Sequence, residues 1–593
     1  MAHFDAERTI ECRQIEARLE EIKATFYSHR RPIGGLEYSV TGQGLGPERV
    51  PESGWKPFQV MQAWGGYDQT TWFRMEMVVP KEFKGQRVVA LLRPSGGHFE
   101  PGVAFLSAAG ESMAFVNGKP FAGLDKNHDE LLLTEKARSG ERFDIAIEGV
   151  PSTRIEIEHH FQYADMAILH QEVWDVYWDI LVPLRVYKEL GSNYTPARQL
   201  FAVLSQAVRM VDLQQVGTDA FYASCVKASR YLKKELVPFE QSYGMGKLIL
   251  VGHSHIDTAW LWPLRETRRK VGRTFSTVLR LMERYPEYHF SCSQPELYMY
   301  VKEHFPEIWK AIKKRVKEGR WEPCGAPWIE QDSNMPSGES LVRQFLYGNR
   351  FFQKEFGMRS RTAWLPDAFG YPWSLPQILK QCQIDTFVTT KIDWGTYTKF
   401  PYSMFQWQGV DGTQIRALMP PMNYNGNPLP SDCIAQWEKF KQKEKADEIP
   451  FAFGWGDGGG GPTAEMLEHG KRLKNIVGVP KCEFGRTQDS LDRMAAQCAD
   501  DDLPVYNDEL YLELHRACQI TQARTKWFNR KIEVDLHDAE FLSSVAHLSR
   551  GTYDTAAFWS VWRILLTNQF HDILPGSSIT EVYTQAEKDY SGI

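Results

Sequence analysis

The alternation of apolar and polar residues divides the chain into segments with different periods. Residues 6–28 have the spacing of an acidic amphipathic helix, whereas the period falls to two between about residues 35 and 160. Within the second segment, apolar Phe73, Met75 and Met77 alternate with charged Arg74 and Glu76. This alternation is typical of antiparallel strands with one wet face, and Asn117-Gly118 is a tight-hairpin signal. We therefore expect a helix and a β-sandwich domain over residues 1–163.

Helical periodicity returns over residues 164–240, and a glycine-containing loop at 241–246 is a plausible boundary. From Lys247 onward, short apolar strands alternate with helical patterns. The predicted strands cover residues 248–251, 289–293, 362–365, 386–390 and 450–453. Such alternation predicts a parallel sheet with helices on both faces. We expect a helical connector over 164–245 and an α/β catalytic domain over 246–505.

The helix expected after residue 264 carries a single apolar stripe. Its members are Val271, Phe275, Val278, Leu279 and Met282, at the spacing of one buried helical face. The last ninety residues are helical again, and Asp554 is a good N-cap for an apolar helix over residues 555–570. The fold class predicted is therefore multidomain α/β, ending in a helical segment over 506–593.

Composition excludes several classes of protein. At 593 residues the chain is too long for one hydrophobic core. Its net charge of -6 gives no reason to expect nucleic acid or an anionic membrane as a partner. We see neither an apolar run of ~18 residues nor the basic and apolar regions of a secretory signal. Nine scattered cysteines without a CxxC pair fit free thiols in a reducing compartment, so we expect a cytoplasmic protein.

The first candidate site is the segment that follows the strand at residues 248–251. It contains His253, His255 and Asp257, which are expected at the carboxyl end of a parallel strand, where open α/β sheets bind ligands. Imidazoles and a carboxylate this close together form part of a metal site. His255 and Asp257 are two residues apart and can face one centre, and His253 competes with His255 for this role.

Three other segments carry candidate residues. Asp367 directly follows the strand at 362–365 and is expected on the same sheet edge as Asp257, although it could instead cap a helix. Asp457 precedes four glycines, which permit close approach of the backbone to a ligand or form a flexible turn. His571-Asp572 follow the last apolar helix, where a histidine is often only a surface or cap residue.

Together, His255, Asp257, Asp367 and His571 supply two imidazoles and two carboxylates. This mixed nitrogen and oxygen set suits Zn²⁺, with Co²⁺ or another divalent ion as alternatives. A metal held in this way with open positions can bind vicinal hydroxyl groups and act as a Lewis acid.

Six motifs in the order of the chain resemble glycoside hydrolase family 38 α-mannosidases, in particular their cytosolic and bacterial branch. They cover residues 252–260, 364–371, 399–402, 456–463, 509–516 and 568–578. The resemblance implies a zinc-dependent retaining hydrolase that removes terminal α-linked mannose from oligosaccharides or mannosides through a covalent mannosyl-aspartate intermediate. It also implies that residues 506–593 form a helical bundle that is incomplete at its C-terminus, and members of the family are often homo-oligomers.

The resemblance also implies roles for individual residues. His255, Asp257, Asp367 and His571 match the zinc ligands, and Asp367 also matches the nucleophile. Trp260 matches the aromatic residue that stacks on mannose, Phe369 lines the same subsite, and Asp572 matches a carboxylate that binds sugar hydroxyls. For the acid/base, Asp457 is the first candidate, followed by Asp332 and Asp393, for each of which a loop cap is the favoured interpretation.

Members of the family continue for several hundred residues into β domains, whereas this chain stops at Ile593. This difference keeps a second hypothesis open, namely a carbohydrate-binding but catalytically weak fragment. A third hypothesis is a metal-dependent amide hydrolase or deacetylase, suggested by the His-X-His pattern at a strand end. It would need further histidine and aspartate ligands on successive strands, where this chain offers tryptophans, glycines and acids instead.

Overall fold

The computed structural model describes residues 2–42, 50–67, 69–95, 110–150, 158–190, 194–240, 245–421 and 424–593. Most of the boundary loop expected at 241–246 therefore lies outside the described residues. The chain begins with helix α1, Ala2–Lys23, and continues into twelve strands. These are β1 Tyr27–Pro32, β2 Glu37–Gly42, β3 Lys56–Pro57, β4 Ala63–Gly65, β5 Thr70–Val78, β6 Val88–Arg93, β7 Glu111–Val116, β8 Lys119–Leu124, β9 Glu130–Thr134, β10 Arg142–Val150, β11 Glu158–His160 and β12 Tyr163–Leu169.

The strands form two main antiparallel sheets that enclose an apolar core. One sheet has the order β1-β12-β6-β9, the other β3-β2-β5-β10-β7-β8, and β11 pairs with β4. In β5 the side chains of Phe73, Met75 and Met77 are buried and those of Arg74 and Glu76 are exposed. Asn117 and Gly118 join β7 to β8 at positive φ, 51° and 72°, as a type I′ hairpin requires. The β-sandwich prediction is confirmed.

The edges of this domain differ from the sequence-based expectation in two places. Helix α1 ends at Lys23, a turn follows over residues 24–26, and Tyr27 and Ser28, which were expected to complete the helix, begin strand β1 instead. Strand β12 occupies the start of the segment expected to be helical. Both of its neighbours, β1 and β6, bond to it, and most of its side chains are buried. A mostly apolar run of this kind hides the period of two that would identify a strand.

Three helices connect the sandwich to the α/β region: α2 Gln171–Glu189, α3 Thr195–Met210 and α4 Asp219–Glu235. The α/β strands are β13 Lys247–His253, β14 Phe290–Cys292, β15 Trp321–Pro323, β16 Thr362–Trp364, β17 Thr386–Val388, β18 Met404–Gln408, β19 Gln414–Leu418, β20 Glu448–Phe453, β21 Lys481–Phe484 and β22 Val505–Tyr506. The helices between them are α5 Leu264–Arg284, α6 Pro295–His304, α7 Pro306–Lys317, α8 Gly338–Phe356, α9 Leu375–Gln381, α10 Pro430–Lys439, α11 Ala464–Arg472 and α12 Thr487–Gln497.

These strands form two five-stranded groups. In the first, β13 pairs in parallel with β14, β20 and β21, and β15 lies beyond β14. The second has the order β16-β17-β19-β18-β22 and is parallel except between β18 and β19. That pair is antiparallel because the connection over residues 409–413 is too short for a crossover helix. The fold-class prediction is confirmed, and the domain boundaries at residues 163, 245 and 505 stay predictions.

Helix α5 lies between the α/β core and the sandwich. Its predicted apolar stripe is buried throughout. The opposite face carries charged residues that are also buried, because they pair with acids of the sandwich. Lys270 and Arg273 each contact Glu111 at 2.5 Å, and Arg269 contacts Glu148 at 3.0 Å. These ion pairs fasten the N-terminal domain to the α/β domain.

Helices α13 Ala523–Arg550, α14 Thr555–Asn568 and α15 Thr580–Gly592 complete the chain. The Asp554 side chain accepts a hydrogen bond from the Ala557 amide at 2.9 Å, which confirms the predicted N-cap. The loop after α14 lies against the α/β domain, where the Asp332 amide donates to the Gln569 carbonyl at 2.8 Å. Among the described helices, none combines the length and the apolar character that a membrane crossing requires.

Candidate metal centre and active-site cavity

Four side chains from distant parts of the sequence meet in one buried group. His255, Asp257, Asp367 and His571 each offer a ligand atom, and these atoms all lie within 4.8 Å of one another. All four residues are buried. We call this group the metal cluster. It is the set that the sequence predicted, and its atoms are close enough together to hold one ion.

Each member is positioned by the end of a secondary-structure element. His255 and Asp257 follow β13, and Asp367 follows β16, so the carboxyl ends of parallel strands supply three of the four. His571 comes from the loop after α14. Its main-chain N–H and its ring Nδ1 both donate to the Glu330 carbonyl, at 3.2 and 2.8 Å. The ring is thereby fixed with Nε2 facing the strand ends.

The distances within the cluster show which atoms are available to an ion. His255 Nε2 lies 2.9 Å from Asp257 Oδ1 and 4.0 Å from Asp367 Oδ2. His571 Nε2 lies 3.3 Å from Asp367 Oδ2 and 3.5 Å from Asp257 Oδ1. The buried His571 Nε2 makes no hydrogen bond to any described residue. A buried polar atom without a partner is rare, so two imidazoles and two carboxylates arranged in this way fit a divalent cation.

Glu330 supports the cluster from behind. Its Oε2 lies 3.2 Å from His255 Nδ1, and its Oε1 accepts a hydrogen bond from the Ser293 hydroxyl at 2.8 Å. A carboxylate at Nδ1 favours the tautomer that leaves Nε2 unprotonated. Glu330 therefore contacts one histidine of the cluster through its side chain and the other through its carbonyl.

His253, the competing histidine, lies outside the metal cluster. Its Nδ1 donates to the Ser291 carbonyl at 2.8 Å, and its ring lies edge-on to Trp364. Burial lowers its pKa to about 4, so it is neutral. His253 thus links β13 to β14. Of the two histidines, His255 is the one in the metal cluster.

Asp367 is kept ionised by its surroundings. Burial alone would raise its pKa, but the close contact with His571 and the positive charges of Lys391 and His255 outweigh burial and hold the pKa well below its usual range. Lys391 Nζ lies 2.6 Å from Asp367 Oδ1, on the oxygen that does not face the histidines. The Lys391 ammonium also lies 4.2 Å from the centre of the Trp394 ring.

The metal cluster opens into a cavity of about 530 Å³. Asp257 and Asp367 lie in its wall, together with Trp260, Phe369, Asp457 and Asp572. The structure therefore brings these six residues, together with His255 and His571, to the metal cluster or its cavity. The cavity continues along residues 514–518, where His515 packs 4.5 Å from the Phe369 ring.

The three acid/base candidates occupy different environments. Asp457 lines the cavity, accepts a hydrogen bond from the Tyr424 hydroxyl at 3.1 Å, and its pKa is raised to about 6 by burial and the neighbouring Asp257 charge. Asp332 is buried and accepts from the amides of Asn334 and Met335, so it caps its own loop. Asp393 is exposed within a 3-10 turn.

The structure also identifies site residues that the sequence did not single out. Glu330 lies two residues from Asp332, and Lys391 lies two residues from Asp393. In each case the sequence analysis named the nearby aspartate and not the residue that contacts the metal cluster. The signal that could have found Lys391 is its place directly after β17, on the same sheet edge as Asp367. Tyr424 stands in an irregular loop, and nothing in the local pattern indicates its contact with Asp457.

Comparison with known families agrees with this geometry. The model "Glycosyl hydrolases family 38 N-terminal domain" matches residues 245–509, and "Alpha mannosidase middle domain" matches residues 513–593. A third model, "Alpha-mannosidase, jelly roll domain", matches residues 36–166. The chain belongs to glycoside hydrolase family 38. The three matches follow one another along the chain in the order of the sandwich, the α/β domain and the terminal helices.

Individual proteins that are similar in sequence are also named as α-mannosidases. Human "Alpha-mannosidase 2C1" is 34% identical over 94% of this chain and 54% of its own length. The "Alpha-mannosidase" of Saccharomyces cerevisiae is 40% identical over 56% of this chain and 32% of its own length. A solved Enterococcus faecalis α-mannosidase matches with a TM-score of 0.52 at 24% identity, covering 58% of this chain and 41% of its own, which supports the fold. This family 38 chain spans about half the length of the curated relatives it matches.

Proposed function

We propose that this chain carries the catalytic centre of a metal-dependent retaining α-mannosidase that removes terminal α-linked mannose from oligosaccharides or mannosides. The observation that carries the proposal is the meeting of the metal cluster and Asp457 at one cavity. Retaining hydrolysis needs one ionised carboxylate and one carboxylic acid flanking the glycosidic bond. Membership of family 38 and relatives named as α-mannosidases favour mannose as the sugar.

Asp367 is the proposed nucleophile. Its lowered pKa keeps the carboxylate charged at neutral pH, as an attacking group requires. The carboxylate would attack the anomeric carbon, and the bond to the leaving-group oxygen would break as a mannosyl-aspartate ester forms. Lys391 holds one carboxylate oxygen at 2.6 Å and so limits rotation of the side chain.

Asp457 is the proposed acid/base. A pKa raised to about 6 leaves part of the population protonated near neutral pH. The acid would donate its proton to the departing glycosidic oxygen, and the resulting carboxylate would then take a proton from the water that cleaves the ester. Carboxylic acids in buried sites with raised pKa values are suited to this double role.

His255, Asp257, Asp367 and His571 would hold the metal ion, which we propose to be Zn²⁺, with Co²⁺ as an alternative. The bound ion would supply Lewis-acid polarisation of sugar hydroxyl groups. Glu330 fixes the His255 ring for this purpose. A cation beside Asp257 and Asp367 would also offset their negative charges, leaving burial as the main reason for the raised pKa of Asp457.

Three further residues are proposed to bind the sugar. Trp260 and Phe369 present aromatic surface to the cavity, and the faces of a mannose ring pack well on such surfaces. Asp572 accepts a hydrogen bond from the Ser577 hydroxyl, and burial raises its pKa to about 7. Its second oxygen remains available to a sugar hydroxyl group.

The test is an aryl α-mannoside assay on the 593-residue chain after chelation and after re-addition of Zn²⁺ or Co²⁺. Asp367→Ala is compared with Asp393→Ala, a matched aspartate in an exposed turn after the neighbouring strand. We expect activity that depends on metal, disappears in the first variant and persists in the second. A fluorinated mannosyl fluoride should add one sugar mass to the peptide that contains Asp367.

Other outcomes separate the alternatives. Chelator-sensitive mannose binding without turnover would favour the carbohydrate-binding hypothesis. Turnover that survives both the chelator and Asp367→Ala would overturn the proposal. Release of acetate from an acetylated sugar, without release of the aryl group from the mannoside, would favour an amide hydrolase or deacetylase.

A further inference from the structure

The loop that carries Asp457 is unusually dependent on its surroundings. We call residues 455–462 the glycine loop. Its ends are joined by two hydrogen bonds between the main chains of Trp455 and Gly461, each 2.9 Å. Asp457 itself has φ of 52°, which is unfavourable for a residue with a side chain. Since glycines also have wide conformational freedom, the loop needs external contacts to keep the carboxyl group in one place.

On one side the glycine loop lies against the metal cluster. The Gly458 amide donates to the His255 carbonyl at 3.3 Å, and the Ser254 hydroxyl donates to the Trp455 carbonyl at 3.5 Å. A Cβ at Gly456 would lie 2.0 Å from Asn425 Oδ1, so the main chain passes close to the neighbouring loop there. These contacts bear on residues 455–458, which are in turn joined to the second half of the loop by the Gly459 amide donating to the Gly456 carbonyl at 2.8 Å and by the Trp455–Gly461 pair.

The second half of the loop is held by the N-terminal domain. We call residues 125–129, which join β8 to β9, the clamp turn. His128 Nε2 donates to the Pro462 carbonyl at 3.1 Å, and Asn127 Nδ2 donates to the Gly459 carbonyl at 3.4 Å. A Cβ at Gly460 would come within 2.7 Å of Asp125 Oδ2. The clamp turn therefore touches the loop at three of its last four residues.

The clamp turn is itself held rigidly. The Asp125 carboxylate accepts from the amides of Asn127 and His128, at 2.7 and 3.0 Å, and from His128 Nδ1 at 3.0 Å. Both ring nitrogens of His128 thus face acceptors, an arrangement that only the protonated ring satisfies. The Asp125 charge correspondingly raises the pKa of His128 against the effect of burial. The imidazolium can therefore bond to both domains at once.

Packing alone does not hold the glycine loop, because it runs between two cavities. The active-site cavity of about 530 Å³ lies beside Asp457, and a second cavity of about 730 Å³ is lined by Trp455, Asn127 and His128. The Trp455 side chain is 38% exposed. Hydrogen bonds from the clamp turn therefore restrain the second half of the loop in addition to the main-chain pair of Trp455 and Gly461.

Docking of the two domains does not require the clamp turn. Helix α5 is already joined to the sandwich by the Glu111 ion pairs and by a hydrogen bond from the Gly123 amide to the Thr277 hydroxyl at 2.9 Å. We propose that His128 and Asn127 of the N-terminal domain are positioning residues, which hold the glycine loop so that the Asp457 carboxyl group reaches the glycosidic oxygen. This rests on the proposed function, in which Asp457 is the acid/base.

The proposal predicts a selective defect. Loosening the glycine loop would impair proton donation to the leaving group, whereas the metal cluster and Asp367 would keep their geometry. An aryl mannoside with a poor leaving group needs that proton, and one with a good leaving group, such as 2,4-dinitrophenolate, hardly needs it. The kinetic defect caused by removing the clamp contacts should therefore be larger for the poor leaving group. A general loss of folded protein would lower the activity on both substrates equally.

The experiment compares His128→Ala and Asn127→Ala with Asn117→Ala in the full chain, alongside Asp457→Ala. Asn117 occupies the hairpin at the other end of β8 and accepts a hydrogen bond from the Asp144 amide, so its variant disturbs the same sheet without touching the loop. The measure is kcat/KM, because it reports formation of the mannosyl-aspartate ester and not its later hydrolysis. We expect kcat/KM for the poor leaving group to fall about tenfold or more in His128→Ala, and less in Asn127→Ala. The good leaving group should lose less than about threefold, and bound metal should not change.

Hydrogen exchange of the amides of Gly458, Gly459 and Gly461 provides a readout that does not need turnover. Each of them donates a main-chain hydrogen bond in the closed loop, so exchange should quicken in His128→Ala and not in Asn117→Ala. Unchanged exchange, or equal kinetic losses on both substrates, would overturn the positioning role. If Asp457→Ala itself shows no dependence on the leaving group, the acid/base assignment fails instead, and the exchange result still decides whether the clamp holds the loop.

Discussion

The two sides of the active-site cavity are held in different ways. Three members of the metal cluster follow buried parallel strands, hydrogen bonds to the Glu330 carbonyl fix His571, and the Glu330 carboxylate lies 3.2 Å from His255 Nδ1. The glycine loop opposite has few packed side chains, contains a residue at unfavourable φ, and accepts two hydrogen bonds from another domain. The comparison teaches that the proposed metal ligands are fixed by strand ends and by buried hydrogen bonds to the α/β domain, whereas the proposed acid/base lies on a loop that also contacts the N-terminal domain.

The largest expected effect comes from the metal cluster. His255→Ala removes one ligand and should lower turnover on the order of 10³-fold or more, beyond the ~10- to 100-fold typical of losing a supporting contact. The matched variant is His253→Ala, two residues earlier and equally buried. It should retain bound metal, measured by elemental analysis, and lose mainly thermal stability. Equal metal loss in both variants would contradict the assignment of ligands.

On the other side, Asp457→Ala should reduce turnover of a poor leaving group by about 10²–10⁴-fold while leaving bound metal unchanged. The pH profile sharpens this prediction. Since Asp457 must be protonated to act and its pKa is raised to about 6, activity should fall as pH rises above the acid's pKa, roughly tenfold per unit. A bound cation shifts this limb to lower pH. This fall of activity with rising pH should be absent in Asp457→Asn. A pH profile of this variant that matches the wild type would contradict the role of Asp457 as the acid.

Glu330→Gln tests the support behind the metal cluster. The amide keeps the shape of the side chain but removes the negative charge 3.2 Å from His255 Nδ1. We expect metal affinity to fall about 10- to 100-fold, measured by competition with a chelator. Glu322→Gln is a control, because Glu322 is also buried but contacts Ser291, Thr487 and Gln488. A comparable loss there would mean that general disruption of the core is responsible.

The smallest expected effect is a change at the contact between the loop and the clamp turn. Gly460→Ala places a methyl group against Asp125 and His128, at φ of 95°. We expect about a tenfold loss with a poor leaving group, and a smaller loss with a good one. Gly85→Ala has a similar φ, 83°, with open space around it, and so carries the backbone strain of ~1–2 kcal/mol alone. Matching kinetics in the two variants would show that the clamp contact is unimportant.

The architecture could be predicted because each element leaves a local pattern. The period of two in β5, the apolar stripe of α5 and the cap at Asp554 all appear in the structure. The misplaced segments were those without a clear period. Strand β12 is buried between two neighbours, and the end of α1 is decided by the pairing of β1 with β12. A local pattern cannot report such a pairing partner.

The metal cluster was predictable for a related reason. A residue directly after a buried parallel strand must lie on the carboxyl edge of the sheet, so His255, Asp257 and Asp367 could be placed there before any contact was known. His571, which lies more than two hundred residues from Asp367, joined the set through its chemistry and through the family resemblance. Its ring reaches the cluster because the Glu330 carbonyl binds it.

The sequence by itself determined which residues stand at the strand ends and what chemistry they can support, since periodicity and composition are local properties of the chain. Only the tertiary structure decided between His253 and His255, through the Ser291 carbonyl that occupies the former. It also placed Glu330, Lys391 and Tyr424 beside the predicted residues, and His128 beside the glycine loop. These contacts join elements far apart in the chain, and their distances depend on how the elements pack.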